Sequence, residues 1–242
     1  MHFSDEGYII KILKHGESSA IVTVLSLQHG KIAGFIKCAL SKKKLGVYQI
    51  GNLISFNAYS RLEENMPQFL GVELVKSYAV NFFNSEKKLA ILSAFCELMN
   101  VCVAEHENLE FLNFYVKNFF QAQTDNEMIV RYSFLEYYLL EFLGIGLDLS
   151  ECAATGAKEN LEFISPKSSK AVSYEAGLPY KDKMFKFPHY IVDKNYDANV
   201  SEVADLLKMT EFFLMKNFFQ IHNLKFPNNR ANLLNILNLR KD

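Results

Sequence analysis

The period of the apolar positions changes near residue 80. In the first 80 residues, β-branched and aromatic side chains form five short segments separated by turn residues such as His15-Gly16 and His29-Gly30. This pattern predicts strands at residues 7–14, 20–27, 31–37, 52–61 and 69–76. Five short strands within about 75 residues favour a small closed barrel, and an OB fold is the natural candidate.

After Asn84 the apolar positions recur at helical spacing. Ser85 is suited to cap a helix that follows it, and two further helices are predicted at 109–122 and 126–144. Gly144 can end the last of these in a left-handed conformation. These helices are apolar around much of their circumference, so we expect them to pack on one another.

Residues 145–200 contain three of the five prolines and are predicted to be irregular. A helix restarts at Ser201, and a short final helix follows the Phe226-Pro227 break. The predicted fold class is therefore α+β. An OB-fold barrel at 1–80 precedes an all-helical domain at 81–242, which includes the irregular segment.

Composition agrees with a folded chain and adds an asymmetry of charge. Half of the residues are hydrophobic, which permits a sizeable core. The formal net charge is −1, yet the first 80 residues carry nine Lys and Arg against six Asp and Glu. No apolar run approaches the roughly 18 residues of a membrane span, and the N-terminus lacks the basic region of a signal peptide. We expect a soluble, cytoplasmic protein whose basic part is the barrel.

The basic side chains of the barrel suggest a nucleic-acid surface. Strand alternation places Ile32, Gly34 and Ile36 inside, and Lys31, Phe35 and Lys37 outside. By the same alternation, Tyr59 and Arg61 share an outer face with Ser55 and Asn57, and a loop adds Lys42, Lys43 and Lys44. Single-strand binders combine such basic and aromatic side chains. The alternative is that these lysines are only solvated, as short charge runs commonly are.

Other chemistry has little support in the sequence. The four cysteines include no CxxC pair, and only Cys152 lies in the irregular segment, so no zinc site or other cofactor is expected. The chain has no GxSxG, HExxH, P-loop or GxGxxG motif. We therefore expect a protein that binds rather than an enzyme. The 21 phenylalanines mostly suit a helical core, although a few could line a groove for a hydrophobic peptide with an acidic end.

Four segments, taken in order, resemble the RecO family of bacterial recombination mediators. These segments are HGESSAIVTVLSLQHGKIAGFIK, YQIGNLISFNAYSRLEENMPQFLGVEL, LEYYLLEFLGIGLDLSECAATG and FPNNRANLL. The resemblance implies an OB fold followed by a helical domain. It also implies binding of single- and double-stranded DNA and annealing of complementary strands. The resemblance further implies that the protein loads RecA together with RecR and binds the C-terminal tail of the single-stranded-DNA-binding protein. A bacterial, nucleoid-associated location would follow.

Two positions depart from the family pattern. Some relatives hold a four-cysteine zinc site in the irregular segment, whereas here only Cys152 matches, and Thr155, Ser173 and Ala176 stand at the other positions. The resemblance therefore implies a zinc-finger-like insertion without its cysteines. Cys38 stands where the family frequently has a glycine after the third strand. Two other functions stay open, a protein-interaction adaptor that contains an OB fold and an RNA-binding module.

Overall fold

A computed structural model describes residues 2–62, 64–193 and 198–239 of the chain. The chain divides into two compact units, Met1–Asp125 and Asn126–Asp242. The predicted domains at 1–80 and 81–242 stay a prediction, since a compact unit is defined by its contacts and a domain by its ability to fold alone.

The first unit contains the predicted barrel. Its strands are β1 (His2–His15), β2 (Ser19–Ser26), β3 (Gly30–Ile36), β4 (Leu53–Tyr59) and β5 (Gln68–Lys76). They close in the order β1-β2-β3-β5-β4, with parallel pairing between β3 and β5 and antiparallel pairing elsewhere. The five-stranded OB-fold barrel is therefore confirmed. β1 begins five residues before its predicted start because its polar first residues pair through their backbone with β4.

The barrel interior follows from the alternation along each strand. On β3, Ile32, Gly34 and Ile36 are buried, as predicted. A Cβ atom on Gly34 would lie 2.3 Å from the Phe69 ring, so only glycine fits at this position. The interior is filled by buried residues from all five strands and from the β3–β4 loop: Ile9, Ala20, Val22, Val24, Ile32, Ile36, Ala39, Tyr48, Ile54, Phe56, Ala58 and Phe69.

Three helices complete the first unit, namely α1 (Ala79–Phe82), α2 (Glu86–Cys102) and α3 (Glu110–Phe120). The hydroxyl of Ser85 accepts a hydrogen bond from the Lys88 backbone amide, as the sequence predicted for a cap. The Tyr8 ring of β1 stacks on Phe120 of α3 with centroids 4.1 Å apart. The helices of this unit therefore pack against β1 of the barrel.

The second unit is built from helices and one small sheet. Its helices are α4 (Asp125–Phe142), α5 (Tyr174–Gly177), α6 (His189–Val192), α7 (Val200–Leu214) and α8 (Asn228–Ile236). A 3-10 helix (Leu178–Lys183) and a π-helical turn (Met215–Phe219) add to them. The left-handed φ predicted for Gly144, just after α4, is observed at 72°.

The segment predicted to be irregular contains a three-stranded sheet. Its strands β6 (Leu161–Ile164), β7 (Ala171–Ser173) and β8 (Phe185–Lys186) are ordered β7-β6-β8. Strands of two to four residues are too short for an alternating pattern to stand out, and strand pairing alone reveals them.

A buried ion pair joins α8 to α4. The side chains of Arg230 and Glu136 are both 0% exposed, and the Arg230 Nε donates to one carboxylate oxygen of Glu136. The Arg230 Nη2 donates to the other oxygen at 2.9 Å and to the Leu207 carbonyl at 2.6 Å. Glu211 accepts from Nη1 at 3.0 Å, and Thr210 donates to Glu136 at 2.6 Å. Each buried charge therefore has several partners, which a buried charge requires. Among the described residues, no helix is both long and apolar enough to cross a membrane.

Candidate nucleic-acid interface

The strand register joins residues from all five strands in one row that runs around the barrel from the end of β1 back to its start. Successive Cα partners make up this outer row, as we call it: Leu13, Ile21, Phe35, Gln68, Tyr59 and His2. β1 contributes the first and the last residue because its C-terminal half pairs with β2 and its N-terminal half with β4. The predicted aromatic residues of β3 and β4 thus belong to one row, although their strands are not neighbours.

The side chains of the outer row point away from the barrel interior. Their neighbours along the strands are buried core residues, among them Ala20, Ile36, Ala58 and Phe69. Because successive side chains of a strand point to opposite faces, the row itself faces outward. Leu13 and Tyr59 are each 47% exposed. The row therefore offers apolar and aromatic surface that the barrel core does not use.

Two aromatic pairs lie on or beside this row. The rings of Tyr59 and His2 meet edge to face with centroids 6.4 Å apart. Phe35 meets His15 in the same manner at 5.5 Å. Between the two pairs lies the strand that carries Gln68, the Cα partner of both Phe35 and Tyr59.

Three exposed basic side chains surround the outer row. Lys14 lies near the end of β1, Lys37 directly follows β3, and Arg61 lies two residues beyond β4. β1 and β3 run in the same direction and β4 runs antiparallel to β1, so Lys14 and Lys37 lie on one side of the row and Arg61 on the other. Two exposed acids, Glu17 and Glu64, lie in the turns that follow Lys14 and Arg61. The described charges beside the row are mainly positive, and we call Lys14, Lys37 and Arg61, which lie at or beyond the ends of three strands, the basic end.

The loop from Lys37 to Asn52 carries the run of three lysines. The loop starts at the basic end, where the Leu40 amide donates to the Ser18 carbonyl at 2.8 Å. It ends beside β1, where the Gly51 amide donates to the Ile9 carbonyl at 2.8 Å. Lys42, Lys43 and Lys44 are exposed in the middle of the loop. Their positions are therefore held by a loop that is anchored at both ends.

Cys38 adopts a backbone conformation that favours glycine. Its φ is 57°, in the left-handed region. Such a conformation costs a non-glycine residue roughly 1–2 kcal/mol. A hydrogen bond to the start of β2 offsets part of this cost, because the Cys38 amide donates to the Ser19 hydroxyl at 3.3 Å. The bend after β3 is therefore formed here without a glycine.

Lys31 lies apart from the other predicted contact residues. It is at the opposite end of β3 from Lys37, and its Nζ donates to the Asn100 carbonyl of α2 at 2.7 Å. Burial lowers the pKa of Lys31, although the charge of nearby Glu105 acts in the opposite direction. The amine thus satisfies a carbonyl near the C-terminus of a helix, where a cation is favoured. The expectation that Lys31 shares one exposed face with Phe35 and Lys37 is not met.

The register places two of the predicted contact residues, Phe35 and Tyr59, in one row. Lys37 and Arg61 lie just beyond the ends of their strands, and the three lysines follow Lys37 on the same loop. Side chains of β1 that the sequence did not single out complete the surface: His2, Lys14 and His15. In the sequence these residues are marked only by polar positions where β1 begins and basic positions where it ends. The strand register is needed to show which face they share.

The zinc-finger-like insertion is held by hydrogen bonds around Cys152. The Ser173 amide donates to the Cys152 sulfur at 3.2 Å. Burial raises the pKa of this thiol, but hydrogen bonds from Ser173 and Thr155 outweigh that effect and bring it to about 6. The described residues contain no group of three or more His, Cys, Asp or Glu that could hold a metal ion. Polar contacts thus connect three of the four positions at which some relatives have zinc ligands.

A cavity of about 440 Å³ lies in the second unit between the small sheet and the start of α7. Rings of Phe163 and Phe187 line it, but so do the carboxylates of Glu162, Glu202 and Asp205. The Lys186 ammonium at the cavity is already paired with Asp205 at 3.0 Å. An acidic peptide end would meet like charges here, so the cavity does not suit such a ligand.

Comparison with known proteins covers nearly the whole chain. The model of the family described as Recombination protein O N terminal matches residues 1–78, and that of Recombination protein O C terminal matches residues 85–225. The DNA repair protein RecO of Bartonella quintana (strain Toulouse) is 32% identical over 244 aligned positions, which cover 99% of each chain. The protein of the same name from Wolbachia pipientis wMel is 35% identical, covering 98% of this chain and 100% of its own. That of Mesorhizobium japonicum is 33% identical, covering 97% and 92% respectively.

Proposed function

Because the chain belongs to the RecO family, we propose that it is a DNA-binding mediator of recombinational DNA repair. It binds single- and double-stranded DNA through the basic end of the barrel and anneals complementary strands. The observation that carries this proposal is the outward row with the rings of Phe35 and Tyr59, which is flanked by exposed Lys14, Lys37 and Arg61 and lies next to a loop with three exposed lysines.

The mechanism requires charge neutralisation and no catalytic side chain. Two complementary strands repel each other through their phosphates, and bound cations of the protein reduce that repulsion. Base pairing then supplies the specificity, so the protein needs to recognise only the backbone and exposed bases. Such annealing weakens as salt rises, because screening and counterion competition both act on the phosphate contacts.

The partners implied by the family are part of the proposal. We expect the protein to act with RecR in loading RecA onto DNA coated by single-stranded-DNA-binding protein, and to bind the C-terminal tail of that protein. The acidic lining of the cavity in the second unit argues against that cavity as the tail site. A cytoplasmic, nucleoid-associated location follows from the proposed role.

A salt titration tests DNA binding by the loop lysines. The variant Lys42→Glu/Lys43→Glu/Lys44→Glu is compared with the wild type on one labelled single-stranded oligonucleotide. If all three lysines contact phosphates, the slope of log affinity against log salt falls by about 2, since each contact on a single strand contributes about 0.7. The ratio of affinities at about 50 and 200 mM salt then shrinks roughly 15-fold.

A charge-matched control separates local contact from net charge. The exposed lysines Lys158, Lys181 and Lys183 of the second unit are replaced by glutamate together. This control should keep the wild-type salt slope. Equal slopes for the loop variant, the control and the wild type would remove the loop from the proposed interface.

Two further measurements address the activity and the alternatives. Annealing of complementary oligonucleotides should accelerate with the wild type and slow with the loop variant in the same salt range. Competition between DNA and RNA of equal sequence tests the RNA-binding alternative, which predicts that RNA displaces DNA at lower concentration. A protein that binds neither nucleic acid would instead support the adaptor alternative.

A further inference from the structure

We propose that the outer row is a stacking surface for unpaired bases, with Tyr59 as its principal ring, so that the barrel itself discriminates single-stranded DNA from duplex. This inference rests on the proposed function and adds to it the specificity of the same surface. Phosphate contacts at the basic end act on either form of DNA, whereas base stacking requires a base that is free of its partner.

Tyr59 is available to a ligand and is not needed by the core. Its ring is 47% exposed at the end of β4, and it stands outside the buried cluster that fills the barrel. Its aromatic neighbour is His2, in edge-to-face contact at 6.4 Å. The His2 side chain is exposed as well, so the pair leaves ring surface open to solvent.

The spacing of the row suits successive nucleotides. Adjacent strands lie about 4.8 Å apart, so Phe35 and Tyr59, two strands apart, are separated by roughly 10 Å. That distance corresponds to about three nucleotides at the 3.4 Å spacing of a stacked strand. Gln68 lies between them, and its amide can both donate to and accept from a base edge. Sites of about four nucleotides are at the lower end of what one OB fold binds.

The charges around the row favour nucleic acid over an apolar protein segment as the occupant. Lys14, Lys37 and Arg61 are all exposed beside the row, and the three loop lysines adjoin them. A strand whose bases face the row can place its phosphates against these cations. In a duplex the bases are already stacked and paired, so only the phosphates reach the protein. The row therefore adds affinity for single strands alone.

The test uses the full chain with a ring-removing and a ring-keeping variant. Tyr59→Ala and Tyr59→Phe are compared with the wild type on a single-stranded oligonucleotide and on a blunt duplex of equal length, each over a range of salt. Tyr180→Ala serves as the matched control, because Tyr180 is 59% exposed but lies in the second unit. A 2-aminopurine base within the single strand reports stacking directly through its fluorescence.

The expected result is specific to single strands. Tyr59→Ala should weaken single-strand affinity by at least about fivefold, the lower end of what one stacked base contributes. Its salt slope and its duplex affinity should stay unchanged, and Tyr59→Phe and the control should behave like the wild type. The change in 2-aminopurine fluorescence seen with the wild type should be lost only with Tyr59→Ala.

Two results would overturn the stacking surface while leaving DNA binding intact. In the first, Tyr59→Ala binds the single strand as tightly as the wild type does, with the same salt slope. In the second, it weakens duplex and single-strand binding equally, which would mean a contact that does not depend on free bases. A wild type that binds neither form of DNA would reject both the proposed function and this inference.

Discussion

Replacing Arg230 by methionine should destabilise the second unit more than any change at its surface. The guanidinium and the Glu136 carboxylate are both 0% exposed and are paired through two nitrogens. Arg230→Met keeps much of the side-chain volume but leaves the Glu136 charge buried, with the Thr210 hydroxyl as its remaining donor among the residues that the structure describes. Breaking a buried ion pair in this way costs about 3–5 kcal/mol in the free energy of unfolding.

This magnitude is large enough to measure by calorimetry. For a unit of this size, 1 kcal/mol shifts the midpoint of thermal unfolding by roughly 3–6 °C, so a cost of about 3–5 kcal/mol lowers the midpoint by about 9–30 °C. Lys181→Met is the control, because Lys181 is exposed at the surface of the second unit, and its effect should stay within about 0.5 kcal/mol.

A double variant separates the charge from the packing. Arg230→Met/Glu136→Met removes both fully buried charges, and Glu211, which also loses Arg230 as a partner, is 24% exposed and can be hydrated. The stability of the double variant should therefore return to within about 2 kcal/mol of the wild type. The reasoning would be refuted if Arg230→Met cost less than about 1 kcal/mol, or if the double variant were as unstable as the sum of its single variants.

Three other changes test the contacts described above. Asp5→Asn should lower the free energy of unfolding by about 1–2 kcal/mol at neutral pH in urea titrations. Burial raises the pKa of Asp5, but hydrogen bonds from Ser26 and His29 outweigh burial. The pKa of this carboxyl therefore lies below its ordinary value of 3.8. The carboxylate therefore stabilises the fold above pH 3.8, and the difference between variant and wild type should vanish as the pH falls through the lowered pKa; a difference that persists there would contradict this. Lys31→Met should lower the free energy of unfolding by about 1 kcal/mol, because the hydrogen bond to α2 is lost. It should leave the salt slope of DNA binding unchanged, whereas Lys37→Met should reduce that slope by about 0.7. Equal slopes for the two variants would contradict the different roles of these lysines. Treatment with a chelator should leave the thermal midpoint unchanged, because hydrogen bonds hold the Cys152 turn; a clear fall on chelation, reversed by zinc, would disprove this.

Local patterns along the chain were sufficient to predict most elements of the fold. The alternation in β3 predicted which of its residues fill the barrel, because side chains of a strand point to opposite faces whatever the rest of the chain does. Ser85 and Gly144 marked helix ends because capping and left-handed conformations depend on residues within one turn. The resemblance to the RecO family added the prediction that a barrel comes first and a helical domain follows it.

Contacts between distant residues were decided only by the tertiary structure. The amine of Lys31 donates a hydrogen bond to the carbonyl of Asn100, 69 positions away. The sequence pattern predicted a DNA contact for this lysine, but the residue connects β3 to α2 instead. Tyr59 and His2 meet because β1 is long enough to pair on both sides, which its polar first residues did not indicate. The physical reason is that strand register and helix packing depend on pairings across the whole unit, whereas a sequence pattern reports only the faces of a single element.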